Sequence, residues 1–137
     1  MNVLFVCTAN ISRSYLAEKI MKHTAERFGL KNIEVSSAGV NALPGSAPDP
    51  MMVEYLKLMN IPFDNHESRQ LDTESVEWAD VILVMEQRHK NWIQTLWPWP
   101  YGSSLEEYQV AQSQITMAVE ALARLIYEEM RHAGNGA

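Results

Sequence analysis

The stretch that most constrains this chain is "NVLFVCTANISRSYLAEKI", where an apolar run stops at a cysteine and an amphipathic segment begins a few residues later. Val3, Leu4, Phe5 and Val6 are consecutive and apolar, so residues 2–7 read as a strand buried on both faces. Such strands belong to parallel sheets covered by helices. Over residues 14–28 the period changes. Leu16, Ala17, Ile20, Met21, Thr24, Ala25 and Phe28 fall on one face of a helix, and Gly29 stops it.

The alternation continues. Residues 33–37 form a short strand, followed by the turn-rich loop "SAGVNALPGSAPDP". Asp49 and Pro50 mark a helix start, a cap followed by a first-turn proline. That helix carries Val53, Leu56, Lys57 and Met59 and ends near Asn60. "FDNHESRQLDTESVEW" is polar and irregular with a short helix near its end, "DVILVM" is a second buried strand, and residues 86–96 are helical. Two prolines keep "WPWPYG" out of any helix. Residues 104–131 read as a long helix, with Leu105, Tyr108, Ala111, Ile115, Val119, Leu122 and Ile126 along one stripe. This order predicts an α/β fold with a parallel sheet and right-handed crossovers. Ligands in such folds bind beyond the carboxyl ends of the strands, where Cys7 lies.

Composition narrows the function. The 137 residues suit a single domain, 1–137. A net charge of −6 argues against nucleic-acid binding but not against one local anion site. No apolar run approaches the roughly 18 residues of a membrane span, and the start lacks the features of a signal peptide. The only cysteine excludes an internal disulfide and fits a cytoplasmic setting. His23, His89 and His132 are scattered without metal spacing and are expected at the surface; no metal or cofactor is expected.

The loop Cys7-Thr8-Ala9-Asn10-Ile11-Ser12-Arg13 joins the first strand to the helix and is long enough to curl around one phosphoryl group. Its backbone amides and the helix N-terminus present donors to an anion. It is not a Walker loop, having neither a glycine nor a Lys-Ser/Thr pair. Arg13 can hold two phosphoryl oxygens with its planar fork. The amides and helix dipole favour Cys7 as a thiolate, a nucleophile for bound phosphorus, and Ser14 can donate a hydrogen bond to it. Asn10 tolerates the left-handed conformation that a tight nest needs.

At these residues the chain resembles the low-molecular-weight protein tyrosine phosphatases, whose signature is Cys-x5-Arg-Ser directly after the first strand; "VCTANISRS" fits it. "SSAGV", "PDPMMVEYLKLMNI", "HESRQL", "WADVILVMEQRH" and "YGSSLEEY" resemble further blocks of the family in order, covering nearly the whole chain. The resemblance implies a three-layer α/β/α fold and phosphomonoester hydrolysis through a cysteinyl-phosphate, without metal. It implies Cys7 as nucleophile and Arg13 as phosphate clamp. It also implies a phosphate cradle of Thr8, Ala9, Asn10, Ile11, Ser12, Arg13 and Ser14. Ile11, Trp99 and Tyr101 would line the substrate pocket, and His66 and Arg69 would position the loop.

The chain departs from the family in three places. Aligning Pro100-Tyr101-Gly102 with the family's Asp-Pro-Tyr loop puts Trp99 where the aspartate general acid belongs. "NWIQTLWPWPYG" joins the fourth helix directly to that loop, so the sheet is expected to lack its last edge strand. "DVILVM" would then be an exposed edge, covered by Trp92, Trp97 and Trp99 or by a second chain. In the loop, Ala9 replaces a usual glycine, Ser12 a second cysteine found in many members, and Tyr15 a usual proline.

The reading is therefore a cysteine-dependent phosphatase acting on phosphotyrosine protein or small aryl phosphates, slowed by loss of its acid. It is expected as a monomer or weak homodimer, with no nucleic-acid or membrane partner. Two alternatives stay open: a non-catalytic phosphotyrosine- or oxyanion-binding module, and an arsenate reductase-like activity that the single cysteine disfavours.

Overall fold

In the computed structural model, residues 1–96 and 104–107 are described. The elements are β1 (Asn2–Cys7), α1 (Arg13–Arg27), β2 (Glu34–Gly39), α2 (Pro50–Leu58), α3 (Thr73–Trp78), β3 (Val81–Val84), α4 (Gln87–Leu96) and β4 (Ser104–Glu107). The sheet order is β2-β1-β3-β4, and every pair is parallel. β1 lies inside the sheet, paired on both edges, which is why its sequence is apolar throughout.

Successive β1 side chains point to opposite faces and build two cores. Val3 and Phe5 pack with Leu16, Ile20 and Met21 of α1 and Leu56 of α2. Leu4 and Val6 pack with Leu71, Val76 of α3 and Ile93 of α4, with Trp92 against that cluster. The result is the three-layer α/β/α arrangement expected.

Helix starts follow local chemistry. Asp49 Oδ1 accepts the Met51 amide at 2.9 Å, with Pro50 in the first turn as the sequence predicted. Asp72 caps α3 through the Ser75 amide at 2.8 Å. α1 is different: Ser12, at its N-cap, gives no side-chain cap, and its hydroxyl donates to Asp49 Oδ2 at 2.9 Å instead.

Four expectations need correction. The last edge strand is present: Ser104–Glu107 pairs with β3, so the sheet has four strands and Val81–Val84 is not an exposed edge. Residues 104–107 are accordingly strand, not the start of a helix. Leu105 and Tyr108 fit a helical stripe, but so short a stretch fits either period, and the open polar groups of β3 decide it. The rest of the proposed long helix, residues 108–131, lies outside the described residues. On α2, Met52 and Leu56 are buried, one turn apart, while Lys57 and Met59 face solvent. β2 also runs two residues further than read, to Gly39.

The register locates both ends of β4. Ser104 is level with Val81 and Glu107 with Val84, which is itself level with Val6. The chain enters β4 at the sheet end opposite Cys7 and leaves it at the Cys7 end. After "WPWPYG" the described chain resumes as a strand. Trp99 and Tyr101 themselves lie outside the described residues.

Candidate active site

Cys7 ends β1 in register with Gly39, and the next residues continue alongside the chain leaving β2. The Val40 amide donates to the Cys7 carbonyl at 3.0 Å and the Asn41 amide to the Thr8 carbonyl at 2.8 Å. Further round, the Asn10 carbonyl accepts from His66 Nε2 at 2.7 Å, the Ile11 carbonyl from the Asp49 amide at 2.8 Å, and the Ser12 carbonyl from the Leu16 amide at 2.9 Å. The carbonyls of Cys7, Thr8, Asn10, Ile11 and Ser12 are thus engaged by other parts of the chain. Among the described residues, no acceptor bonds the amides of Thr8 to Arg13. A loop that turns its carbonyls outward and leaves its amides unused is a receptor for an anion.

The turn depends on Asn10, which has φ 60° as its residue type allowed and is fully buried. Its side chain is a hub. Nδ2 donates to Ser14 Oγ at 2.9 Å and to Ser37 Oγ at 2.8 Å, and Oδ1 accepts the Arg69 amide at 3.0 Å. Ala9 is not among the residues with positive φ, so the missing glycine costs the loop nothing in backbone strain.

Ser14 Oγ lies 2.9 Å from Cys7 Sγ. Because Asn10 already donates to that oxygen, the Ser14 hydrogen is free to point at sulfur. The hub is anchored below. Ser37 donates to Glu18 Oε1 at 3.0 Å, Lys19 Nζ meets Glu18 Oε2 at 2.8 Å, and Lys19 also meets Asp64 at 2.7 Å. Burial pushes the Glu18 carboxyl up, but the Lys19 ammonium outweighs it and the net shift is downward. The helix periodicity gave no sign that Glu18 and Lys19 are buried, and sequence reading missed both.

Arg13 is partly exposed, and its Nη2 is 3.6 Å from Glu86 Oε1. Glu86 also pairs with Arg88, whose bond, with Arg13 nearby, holds that carboxyl below its ordinary range. Arg88 Nη2 donates to Thr8 Oγ1 at 3.0 Å. His89, expected at the surface, is completely buried and stands 3.1 Å from the same oxygen. The His66 ring and the Arg69 backbone amide both bond Asn10, while Arg69 Nη1 donates to Ser36 Oγ at 3.1 Å. Tyr15, in the place of the family's proline, packs against the His66 ring at 4.7 Å between centroids. Among the described residues, no group of His, Cys, Asp and Glu could hold a metal, and no helix is long and apolar enough to cross a membrane.

A cysteine thus ends a parallel strand, a loop whose amides bond no acceptor among the described residues follows it, and an arginine opens the next helix, the arrangement of a cysteine-dependent phosphatase of this fold. The family model for low molecular weight phosphotyrosine protein phosphatases matches residues 2–98, and the chain belongs to that family. It is 34% identical to a protein-arginine-phosphatase of Bacillus subtilis, over 96% of this chain and all of that one. It is also 34% identical to a probable low molecular weight protein-tyrosine-phosphatase, EpsP, of Ralstonia nicotianae, over 88% and 85% of the two chains. Among solved structures it matches a cysteine-to-serine mutant of YwlE arginine phosphatase with a phosphorylated active site serine, at TM-score 0.80, 30% identity and 96% of each chain. The solution structure of a low molecular weight protein tyrosine phosphatase from Bacillus subtilis matches at TM-score 0.80 and 32% identity, over 96% and 97% of the chains.

Proposed function

We propose that this protein hydrolyses phosphomonoesters through a cysteinyl-phosphate, with Cys7 as nucleophile and Arg13 as clamp. The observation that carries the reading is the run of amides from Thr8 to Arg13 that bond no acceptor among the described residues, beginning beside a sulfur that Ser14 can serve as donor. The Cys7 sulfur attacks phosphorus as the bond to the leaving oxygen breaks. Arg13 and the loop amides take up the charge on the three equatorial oxygens. Water then attacks phosphorus, the S–P bond breaks, and phosphate leaves. The phosphorylated active site serine of the YwlE mutant supports a nucleophile at the corresponding place.

The relatives carry two substrate names, tyrosine and arginine phosphatase. Ile11, in the middle of the loop, offers a side chain with no donor or acceptor. A phosphorylated guanidinium needs partners for its N–H groups, whereas an aryl ring needs only apolar contact. The favoured substrates are therefore phosphotyrosine protein and small aryl phosphates. Assays with p-nitrophenyl phosphate, phosphotyrosine peptide and phosphoarginine test this in parallel, with Cys7→Ser as control. Turnover of phosphoarginine above phosphotyrosine would reverse the assignment. Turnover surviving in Cys7→Ser would end the thiolate mechanism.

A second reading, a binder of phosphoryl groups without turnover, has one observation in its favour: no aspartate follows Asp80 in the sequence. It requires phosphate binding by a wild-type protein that shows no hydrolysis.

A further inference from the structure

His89 sits in the first turn of α4, and neither of its described hydrogen bonds goes to Cys7. Its ring joins two parts of the site. Nδ1 accepts the Glu86 amide at 3.1 Å, and Nε2 stands 3.1 Å from Thr8 Oγ1. A ring nitrogen that accepts an amide N–H carries no proton, so the neutral ring is protonated at Nε2 and donates to Thr8. Thr8 is the first residue after Cys7, at one end of the cradle. Glu86 is the partner of Arg13, at the other end. The charged groups that face the imidazole are Glu86, with Oε2 3.8 Å from Nε2, and the guanidiniums of Arg13 and Arg88. Burial, with the two arginines, outweighs Glu86 and holds His89 below its ordinary range, so Nδ1 stays an acceptor at neutral pH.

We infer that His89 is a positioning residue for phosphoryl transfer: it fixes Thr8 and Glu86 relative to each other, so that the amide cradle and Arg13 close on the same oxyanion. The inference rests on the phosphatase reading above. It differs from a packing role in what it predicts. Packing loss lowers stability and leaves the folded enzyme as fast as before. Misregistration of cradle and clamp lowers kcat more than it raises KM, because the two act together most strongly on the transition state.

Two substitutions divide the ring's bonds. His89→Asn keeps an acceptor near Nδ1 and loses the donor to Thr8. His89→Gln reaches the Nε2 position and keeps that donor. With p-nitrophenyl phosphate, His89→Asn should lower kcat by roughly 10-fold or more, the loss expected for one hydrogen bond, with KM moving less than about 3-fold. His89→Gln should recover a large part of that loss. Thr8→Val removes the oxygen that accepts from both His89 and Arg88, so it should lose at least as much as His89→Asn, and the double variant should be no slower than Thr8→Val alone. Wild-type kcat in folded His89→Asn, no advantage of Gln over Asn, or multiplying losses in the double variant would each overturn the inference. If the His89 variants do not fold, wild-type kcat in Thr8→Val overturns it alone. Orthovanadate binding to the same proteins separates this from the functional reading. A wild type that binds vanadate without turnover sinks the phosphatase proposal, and the ranking of vanadate affinities still decides for or against His89.

Discussion

Gly39 approaches the phosphate loop so closely that a Cβ there would stand 2.5 Å from the Thr8 carbonyl oxygen, and 2.9 Å from Ala9 C and Asn10 N. These are backbone atoms, which cannot swing aside as a long side chain can. Gly39→Ala should therefore displace the loop itself. A shift approaching 1 Å costs on the order of 10²-fold in rate when it moves reacting groups. The expected outcome is a kcat/KM reduced by roughly 10- to 100-fold in a protein that still folds, read from p-nitrophenyl phosphate kinetics beside a thermal melt. Unchanged kinetics would mean the loop is free to yield.

Ser14 completes a directed chain of donors, from Asn10 to the Ser14 oxygen and from the Ser14 hydrogen to Cys7. A hydrogen bond to a charged group is worth about 1.5–3 kcal/mol. Ser14→Ala should lower kcat by about 10- to 100-fold while Arg13 and the amides keep phosphate inhibition within a few-fold. Equal losses in both quantities would show that Ser14 mainly shapes the loop.

Cys7 is the chain's only cysteine, and Ser12, spent on Asp49, offers no thiol beside it. A sulfenic acid at Cys7 cannot be trapped as an internal disulfide and is open to further oxidation. Prolonged peroxide treatment should leave activity that dithiothreitol does not restore. Full recovery would count against this, and mass spectrometry of Cys7 identifies the product.

General acid catalysis is worth about 10²- to 10⁴-fold, most of it for basic leaving groups. With no aspartate after Asp80, turnover should fall steeply from p-nitrophenyl phosphate to phenyl phosphate. Trp99→Asp should give no gain on phenyl phosphate, since Ser104, five residues after it, lies level with Val81 at the sheet end away from Cys7. A selective gain in that variant, with an unaltered melt, would restore Trp99 to the acid's place.

Burial holds His89 below its ordinary value near 6.5, with Arg13 and Arg88 adding to the effect. The unfolded chain then takes up a proton that the folded chain resists. Stability should be full above about pH 6.5 and decline as pH falls below it. The downward-shifted carboxylates, Glu18, Asp64, Asp72 and Glu86, add a second decline at more acidic pH, below their unfolded values. Urea midpoints between pH 7.5 and 5.5 should fall for wild type and stay nearly flat for His89→Gln. The same slope in both would assign the first stage elsewhere.

Much of this site was readable because the sequence marks it locally. Cys7 ends an unbroken apolar run, Asn10 is a residue that accepts positive φ, and Arg13-Ser14 opens an amphipathic helix. What stayed hidden depends on distance in the chain. His89 looks like one polar residue in a polar turn, and only folding brings Thr8, 81 positions away, to its ring. Glu18 and Lys19 are adjacent charges on a helix, and nothing in their spacing says that Ser37 and Asp64 will cover them. β4 was misread because Ser104–Glu107 carries too few residues to distinguish one period from another. Its identity comes from β3, which needed a partner.

β1 ends at Cys7 and lies between β2 and β3, with Val3 and Val6 fully excluded from solvent. Such a strand opens only when the sheet opens, so its amides should exchange with solvent hydrogen as slowly as any in the molecule. On the proposed reading, the reactive sulfur therefore stands at the end of a protected strand. Substrate meets a receptor that is already shaped, and fluctuations at the margins of the sheet do not reach the atom that must attack.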